Sequence, residues 1–96
     1  MTAPRIKVEN MHHLKTGRST PNQFIITTQD GRYYQSYDKI IAFKPYNRET
    51  RTQLDRKYWI KSATTTKYLT LFLGESKDEI LNNINCHAYE LTNLQW

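Results

Sequence analysis

Cysteine is nearly absent from the chain. Cys86 is the only one in 96 residues, so no disulfide can form within it. A disulfide-stapled scaffold is excluded, and the usage fits a reducing compartment. Glycine is also scarce, with only Gly17, Gly31 and Gly74. A glycine-rich phosphate-binding loop is therefore missing. No apolar run approaches the roughly 20 residues a membrane-spanning helix needs. The first residues, MTAPRIKVEN, contain no apolar core of signal-peptide length. A cytoplasmic location, with no membrane partner, is the expectation. Acidic residues are the minority charge, 9 against 14 Lys and Arg, for a net charge of +5.

What is present is a chain of one-domain length, rich in tyrosine. Aromatics reach 12%, and seven of them are Tyr. Tyrosine buries area while keeping a polar tip. That suits a thin sheet with one wet face, or an aromatic binding surface. The charge is unevenly spread. Residues 1–21 carry +3, residues 44–61 carry +4 and residues 75–90 carry −3. A basic side and an acidic end permit a polyanionic partner.

The stretch from Phe24 to Phe43 organises the rest. Phe24–Thr28 alternates on a two-residue period, as a strand does. Asp30-Gly31 reads as a hairpin turn in which Gly supplies positive φ. Arg32–Tyr37 forms a second strand, with Tyr33 and Tyr37 on one face and Arg32, Tyr34 and Ser36 on the other. Asp38-Lys39 turns the chain, and Ile40–Phe43 is apolar enough for a central strand covered on both faces. Pro45 ends it. Residues 46–57 read as a long basic connection, and Tyr58-Trp59-Ile60 as a short strand.

The period then changes. Tyr68, Leu69, Leu71 and Phe72 follow helical spacing, with Ser62 or Thr64 as cap and Gly74 at the C′ position. The spacing predicts a helix at about 64–73. Ser76-x-x-Glu79 is a capping box that opens a second helix, at about 77–84. Cys86–Thr92 alternates again and reads as a last strand. The first 21 residues are polar. They form an arm, partly disordered, in which Ile6 and Val8 suit a short edge strand. Residues 22–96 are a single α+β domain, an antiparallel sheet of about four to six strands with both helices on one face.

These residues also carry a resemblance. The pattern is Tyr34-Gln35-Ser36-Tyr37, Ile40-Ile41-Ala42-Phe43, Trp59, Ser62, Thr64-Thr65, Lys67-Tyr68, Phe72-Leu73-Gly74-Glu75 and Tyr89-Glu90-Leu91-Thr92-Asn93-Leu94. Over residues 24–94 it resembles a group of small proteins of unknown function encoded by bacteriophages and prophages, chiefly of Gram-positive hosts. In that group the segment after the Trp usually reads Tyr-Ser-x-Thr-Thr-x-Lys-Tyr. Lys61 stands here where the first Tyr would be. The resemblance implies a phage origin and brings no chemistry or site residues. Some small phage proteins of this size inhibit host defence nucleases, including Cas proteins.

No catalytic constellation stands out. Cys86 and His87 are neighbours on a predicted strand and point to opposite faces. His12-His13 and Cys86-His87 lack zinc-ligand spacing. No metal, cofactor or enzymatic activity is expected. The expected contacts are instead Lys44, Tyr46, Arg48, Arg51, Arg56 and Lys57 of the basic loop, with Arg32 and Tyr34 from the sheet. Lys and Arg neutralise phosphates, and the flanking aromatics Tyr46, Tyr58 and Trp59 are of the kind that stacks on unpaired bases. A solvated loop that keeps the chain soluble is the competing reading. The function expected is that of a non-enzymatic binding protein that blocks a host protein surface, such as that of a nucleic-acid-bound CRISPR–Cas effector. The alternative is a small regulator that binds nucleic acid directly through the basic loop 44–61. Leu91, Leu94 and Trp96 extend a sheet edge, and a homodimer through an edge strand is expected.

Overall fold

Short turns between alternating segments lay the chain out as a meander. In the computed structural model, which describes residues 6–13 and 15–95, five strands follow one another in space as in sequence. They are β1 (Lys7–His12), β2 (Ser19–Thr27), β3 (Gly31–Ser36), β4 (Lys39–Pro45) and β5 (Thr52–Asp55), each antiparallel to the last. The sixth, β6 (Tyr89–Thr92), lies beside β5 and parallel to it. Parallel neighbours require a crossover. Helices α1 (Ala63–Leu73) and α2 (Lys77–Asn85) supply it and cover one face of the sheet. The class is α+β, and the one departure from an antiparallel sheet is this last pairing. Among the described residues, no helix is long and apolar enough to cross a membrane.

Both helices begin and end where their cap residues place them. The Ser62 hydroxyl accepts the Thr65 amide, and Gly74 closes α1 in the left-handed region at φ 69°. Ser76 and Glu79 form a reciprocal capping box at the start of α2. The inner side of α1 presents Tyr68, Leu69, Phe72 and Leu73 to the sheet. They pack on Tyr34, Ile41, Ala42 and Leu54, with Met11 at one end and Ile80 of α2 also in the core. Glu75, between the helices, accepts from Asn83 Nδ2 at 2.9 Å and from the Tyr89 hydroxyl, which ties β6 to the helical layer.

Three adjacent residues of β4, Ile40, Ile41 and Ala42, are all buried. A register shift explains this. Tyr34 pairs with Ala42 but Gln35 pairs with Ile40, leaving Ile41 as the extra residue of a bulge.

Several expectations need correction. Tyr58-Trp59-Ile60 is a hydrogen-bonded turn, in which the Trp59 amide donates to the Asp55 carbonyl at 3.1 Å. Trp59 enters the core from that turn. The strand in this region is Thr52–Asp55, inside the stretch read as a basic connection. Its single inward apolar residue, Leu54, was too weak a pattern to reveal it. Cys86 caps α2 and His87 adopts φ 63°, so the last strand begins at Tyr89. The strand expected at Ile6 and Val8 is present as β1, and β2 runs through the boundary set at residue 21. Residues 1–5 and Leu14 of the arm lie outside the described residues.

Gly31 is needed for a different reason from the one expected. It opens β3 without a positive φ. A Cβ there would stand 2.5 Å from the Lys44 carbonyl oxygen and 2.7 Å from Pro45 Cα. Backbone atoms cannot yield cheaply. Gly31→Ala should therefore destabilise the fold by about 1–3 kcal/mol, read from the urea midpoint.

Tyr34 is wholly buried, and its hydroxyl donates to Gln23 Oε1 at 2.5 Å. Burial pushes the phenol up to about 12. Gln23 is equally buried, and its Nε2 has no hydrogen-bond partner among the described residues. Tyr34→Phe would leave the whole Gln23 amide unsatisfied, at an expected cost of about 1–3 kcal/mol in the same assay.

Candidate functional site

The residues expected to form one basic surface are divided between the two ends of the sheet. Strand β5 is the cause, since it carries the chain from one end to the other. Lys44, Tyr46, Arg48 and Arg51 lie at the end where β4 finishes and β5 begins. Arg32 joins them, paired across the strands with Lys44. Arg56 and Lys57 follow β5 at the other end, on the order of 10 Å away for a four-residue strand.

The first end makes an uneven surface. Arg51 is engaged by Glu90 at 3.5 Å and by the His87 carbonyl at 3.2 Å. The Arg32 guanidinium lies over the Phe72 ring, 5.8 Å from its centroid. Tyr34 makes no surface at all, because it is fully buried. Its place in the expected contact set is overturned by the helices that cover it. Lys44, Tyr46 and Arg48 are exposed.

The second end concentrates charge around one ring. Three ammonium groups converge on Tyr58: Lys61 at 5.0 Å, Lys39 at 5.2 Å and Lys57 at 5.5 Å from its centroid. The electron-rich ring faces attract cations and offset part of their mutual repulsion. None of the three forms an ion pair among the described residues. Arg56 joins Lys39, Lys57 and Tyr58 around an open cleft of about 720 Å³. A second hollow of about 270 Å³ opens on the other side of Lys39, between Tyr37, Lys61 and Ser62. The cap of α1 sits here, with no acidic residue in its first turn to neutralise the positive helix end. Tyr37 is exposed and held at φ 56°, a strained backbone for a bulky residue.

Asp55 fixes this rim. The carboxylate is buried at the end of β5, 1% exposed. The Lys57 and Tyr58 amides each donate to its Oδ2 at 3.0 Å. The Leu94 amide and Gln95 Nε2 donate to Oδ1 at 2.8 and 3.0 Å. Gln95 in turn bonds both backbone groups of Ile40. One carboxylate thus joins the start of β4, the 56–60 turn and the C-terminal segment. Burial by itself would raise the Asp55 carboxyl. The hydrogen bonds from Leu94, Gln95, Lys57 and Tyr58 outweigh burial and hold it below its ordinary value of 3.8.

Lys39 lies outside the stretch expected to make contact, while Tyr58 was expected there as a flanking aromatic and Lys61 as the last residue of the loop 44–61. Lys39 is 17 or more residues from Arg56, Lys57, Tyr58 and Lys61, and only the β4–β5 hairpin brings the start of one strand to the end of the next. The other residues weighed for chemistry stay apart. His12 lies at the end of β1 and bonds the Gly17 carbonyl, while Cys86 is exposed at the end of α2. Among the described residues, no three His, Cys, Asp or Glu side chains are grouped to hold a metal ion.

The sign of the Asp55 shift sets a pH dependence. A depressed folded-state value means the carboxylate contributes stability above its ordinary value near 3.8. That stability fades as pH falls below this value and through the folded one. Asp55→Asn keeps one acceptor oxygen and loses the charge. It should cost about 2 kcal/mol at pH 7 and show a smaller loss of stability between about pH 5 and about pH 2 in urea titrations.

Comparison with known proteins adds a family without a known activity. Residues 6–86 match the model of a family of unknown function, DUF8033. No curated protein and no solved structure matches the chain. The match spans more than four fifths of the sequence, from β1 to the end of α2, and the chain belongs to this family of unknown function.

Proposed function

We propose that the chain is a non-enzymatic binding protein whose rim of Lys39, Arg56, Lys57 and Lys61 grips the phosphate backbone of a nucleic acid. The observation that carries this reading is the convergence of three ammonium groups, none with an ion-pair partner among the described residues, on the Tyr58 ring. Their charge is held in one place before a ligand arrives, so little side-chain entropy remains to be lost on binding. The lysines lie over the same ring that a base would stack on. The rim is therefore suited to phosphates and not to base identity. Lys61 also occupies the position where the resembling phage proteins usually carry Tyr.

A second reading follows from what the rim lacks. Phosphate contacts alone select no target. Selectivity would come from another surface, and the sheet face opposite the helices offers Ile26 and a stacked Tyr33–Phe43 pair with centroids 4.4 Å apart. Aromatic surfaces of this kind are typical protein contacts. In this reading the chain is phage-encoded and acts in the host cytoplasm. It occupies a nucleic-acid-bound host complex, such as a CRISPR–Cas effector, and blocks it by steric occupation.

Gel retardation with labelled single- and double-stranded oligonucleotides separates the two. Direct binding predicts retardation by the chain alone, weakening between about 50 and 200 mM salt by about 40- to 150-fold on duplex and about 20- to 50-fold on single strands, for three or four neutralised phosphates. Lys39→Glu, Lys57→Glu and Lys61→Glu together should abolish it, while Arg48→Glu leaves most of it. No retardation at low salt contradicts direct binding. Nuclease-resistant capture of a host protein, lost in the triple variant, would then support the second reading.

A further inference from the structure

Among the described residues the sheet has two free edges, β1 and β6. The most exposed large apolar side chains among the described residues are at the β1 edge, with Ile6 68% and Val8 60% exposed. The register places Val8 at the end of a row on the face opposite the helices: Val8 beside Ile26, Ile26 beside Tyr33, Tyr33 beside Phe43. On the other face Val8 is flanked by Lys7 and Glu9, which pair with each other at 3.6 Å. Free edge strands normally carry charge as a guard against pairing. A guard of one sign would repel a second copy of itself. Here the two signs sit symmetrically about Val8.

We propose that β1 pairs antiparallel with β1 of a second copy of this chain, about a two-fold axis through Val8. The pairing places Lys7 opposite the partner's Glu9, and Glu9 opposite the partner's Lys7. Opposite charges directly across an antiparallel pair stabilise it, and like charges destabilise it. Registers centred on Lys7 or Glu9 put like charges face to face, so the charges select the Val8 register. Val8 then meets the partner's Val8, and Ile6 lies diagonal to it, closing an apolar cluster that water now reaches. The row from Phe43 to Val8 runs on into the partner's sheet, giving one continuous twelve-stranded surface from two sets of six. The contact is isologous, so it closes at two copies.

The β6 edge does not offer the same fit. Glu90 is already engaged by Gln53 at 3.1 Å and by Arg51. Centred on Glu90, a self-pairing would oppose two carboxylates. Leu91 is 40% exposed, and Trp96 lies outside the described residues. The proposal therefore places the dimer edge at β1 and not at Leu91, Leu94 and Trp96, where it was expected. A single strand pair makes a small interface, so the association is expected in the micromolar range.

Sedimentation velocity of the full chain from about 1 to 100 µM tests this. The wild-type chain should shift from monomer to dimer, and Val8→Lys should remain monomeric with an unchanged far-ultraviolet circular dichroism spectrum. Lys7→Glu and Glu9→Lys should each weaken the dimer about tenfold or more by opposing like charges. The double variant carrying both should restore it, which a merely structural role for either residue would not predict. A wild-type monomer across the whole range overturns the proposal. So does a dimer that survives Val8→Lys, or a double variant that stays as weak as the single ones.

Discussion

A single buried carboxylate governs how the exposed cations of this protein are arranged. Asp55 ends β5, and its two oxygens accept four hydrogen bonds from two separate stretches of chain. A buried charge is costly unless it is fully hydrogen-bonded. Satisfying Asp55 therefore fixes the 56–60 turn and the C-terminal segment together. Gln95 extends the link to Ile40, at the start of β4. The backbones that carry Lys39, Lys57 and Lys61 are set by that one acid. Tyr58, anchored through its amide, then gathers the three ammonium groups. An acidic residue inside the sheet end thus organises a basic surface outside it.

The helices were legible in the sequence because their signals are local. Ser62, Gly74 and the Ser76–Glu79 box each act within a turn or so of themselves, and the apolar spacing between them is regular. The hairpin strands of the central stretch were legible for the same reason. Strand β5 was not, because Thr52-Gln53-Leu54-Asp55 buries just one apolar side chain on the core side and its acid on the other. Trp59 misled in the opposite direction. A bulky aromatic beside Tyr58 and Ile60 has strand character, yet it plugs the core from a turn. The parallel pairing of β5 with β6 depends on a crossover and leaves no mark in either four-residue strand.

The site was legible as charge and not as geometry. A run of Arg and Lys in residues 44–61 announced a basic surface, and the sequence could not say that a strand divides it. Once β5 is placed, Arg48 and Arg51 fall at one end of the sheet and Arg56 and Lys57 at the other. Lys39 joins the latter pair only through the β4–β5 hairpin. Tyr34 illustrates the converse error. It was placed correctly on the face with Arg32 and Ser36, but that is the face the helices cover, so its hydroxyl serves Gln23 and the core instead of a partner.

The rim around Tyr58 is the central claim, and backbone amide shifts report on it most directly. The chain should be labelled with nitrogen-15 and titrated with a short single-stranded oligonucleotide at low salt, following its proton–nitrogen correlation spectrum. The largest changes should map to Lys39, Arg56, Lys57, Tyr58 and Lys61, with small changes at Arg48 and Arg51. Changes centred on residues 46–51, or no changes at all, would contradict the account.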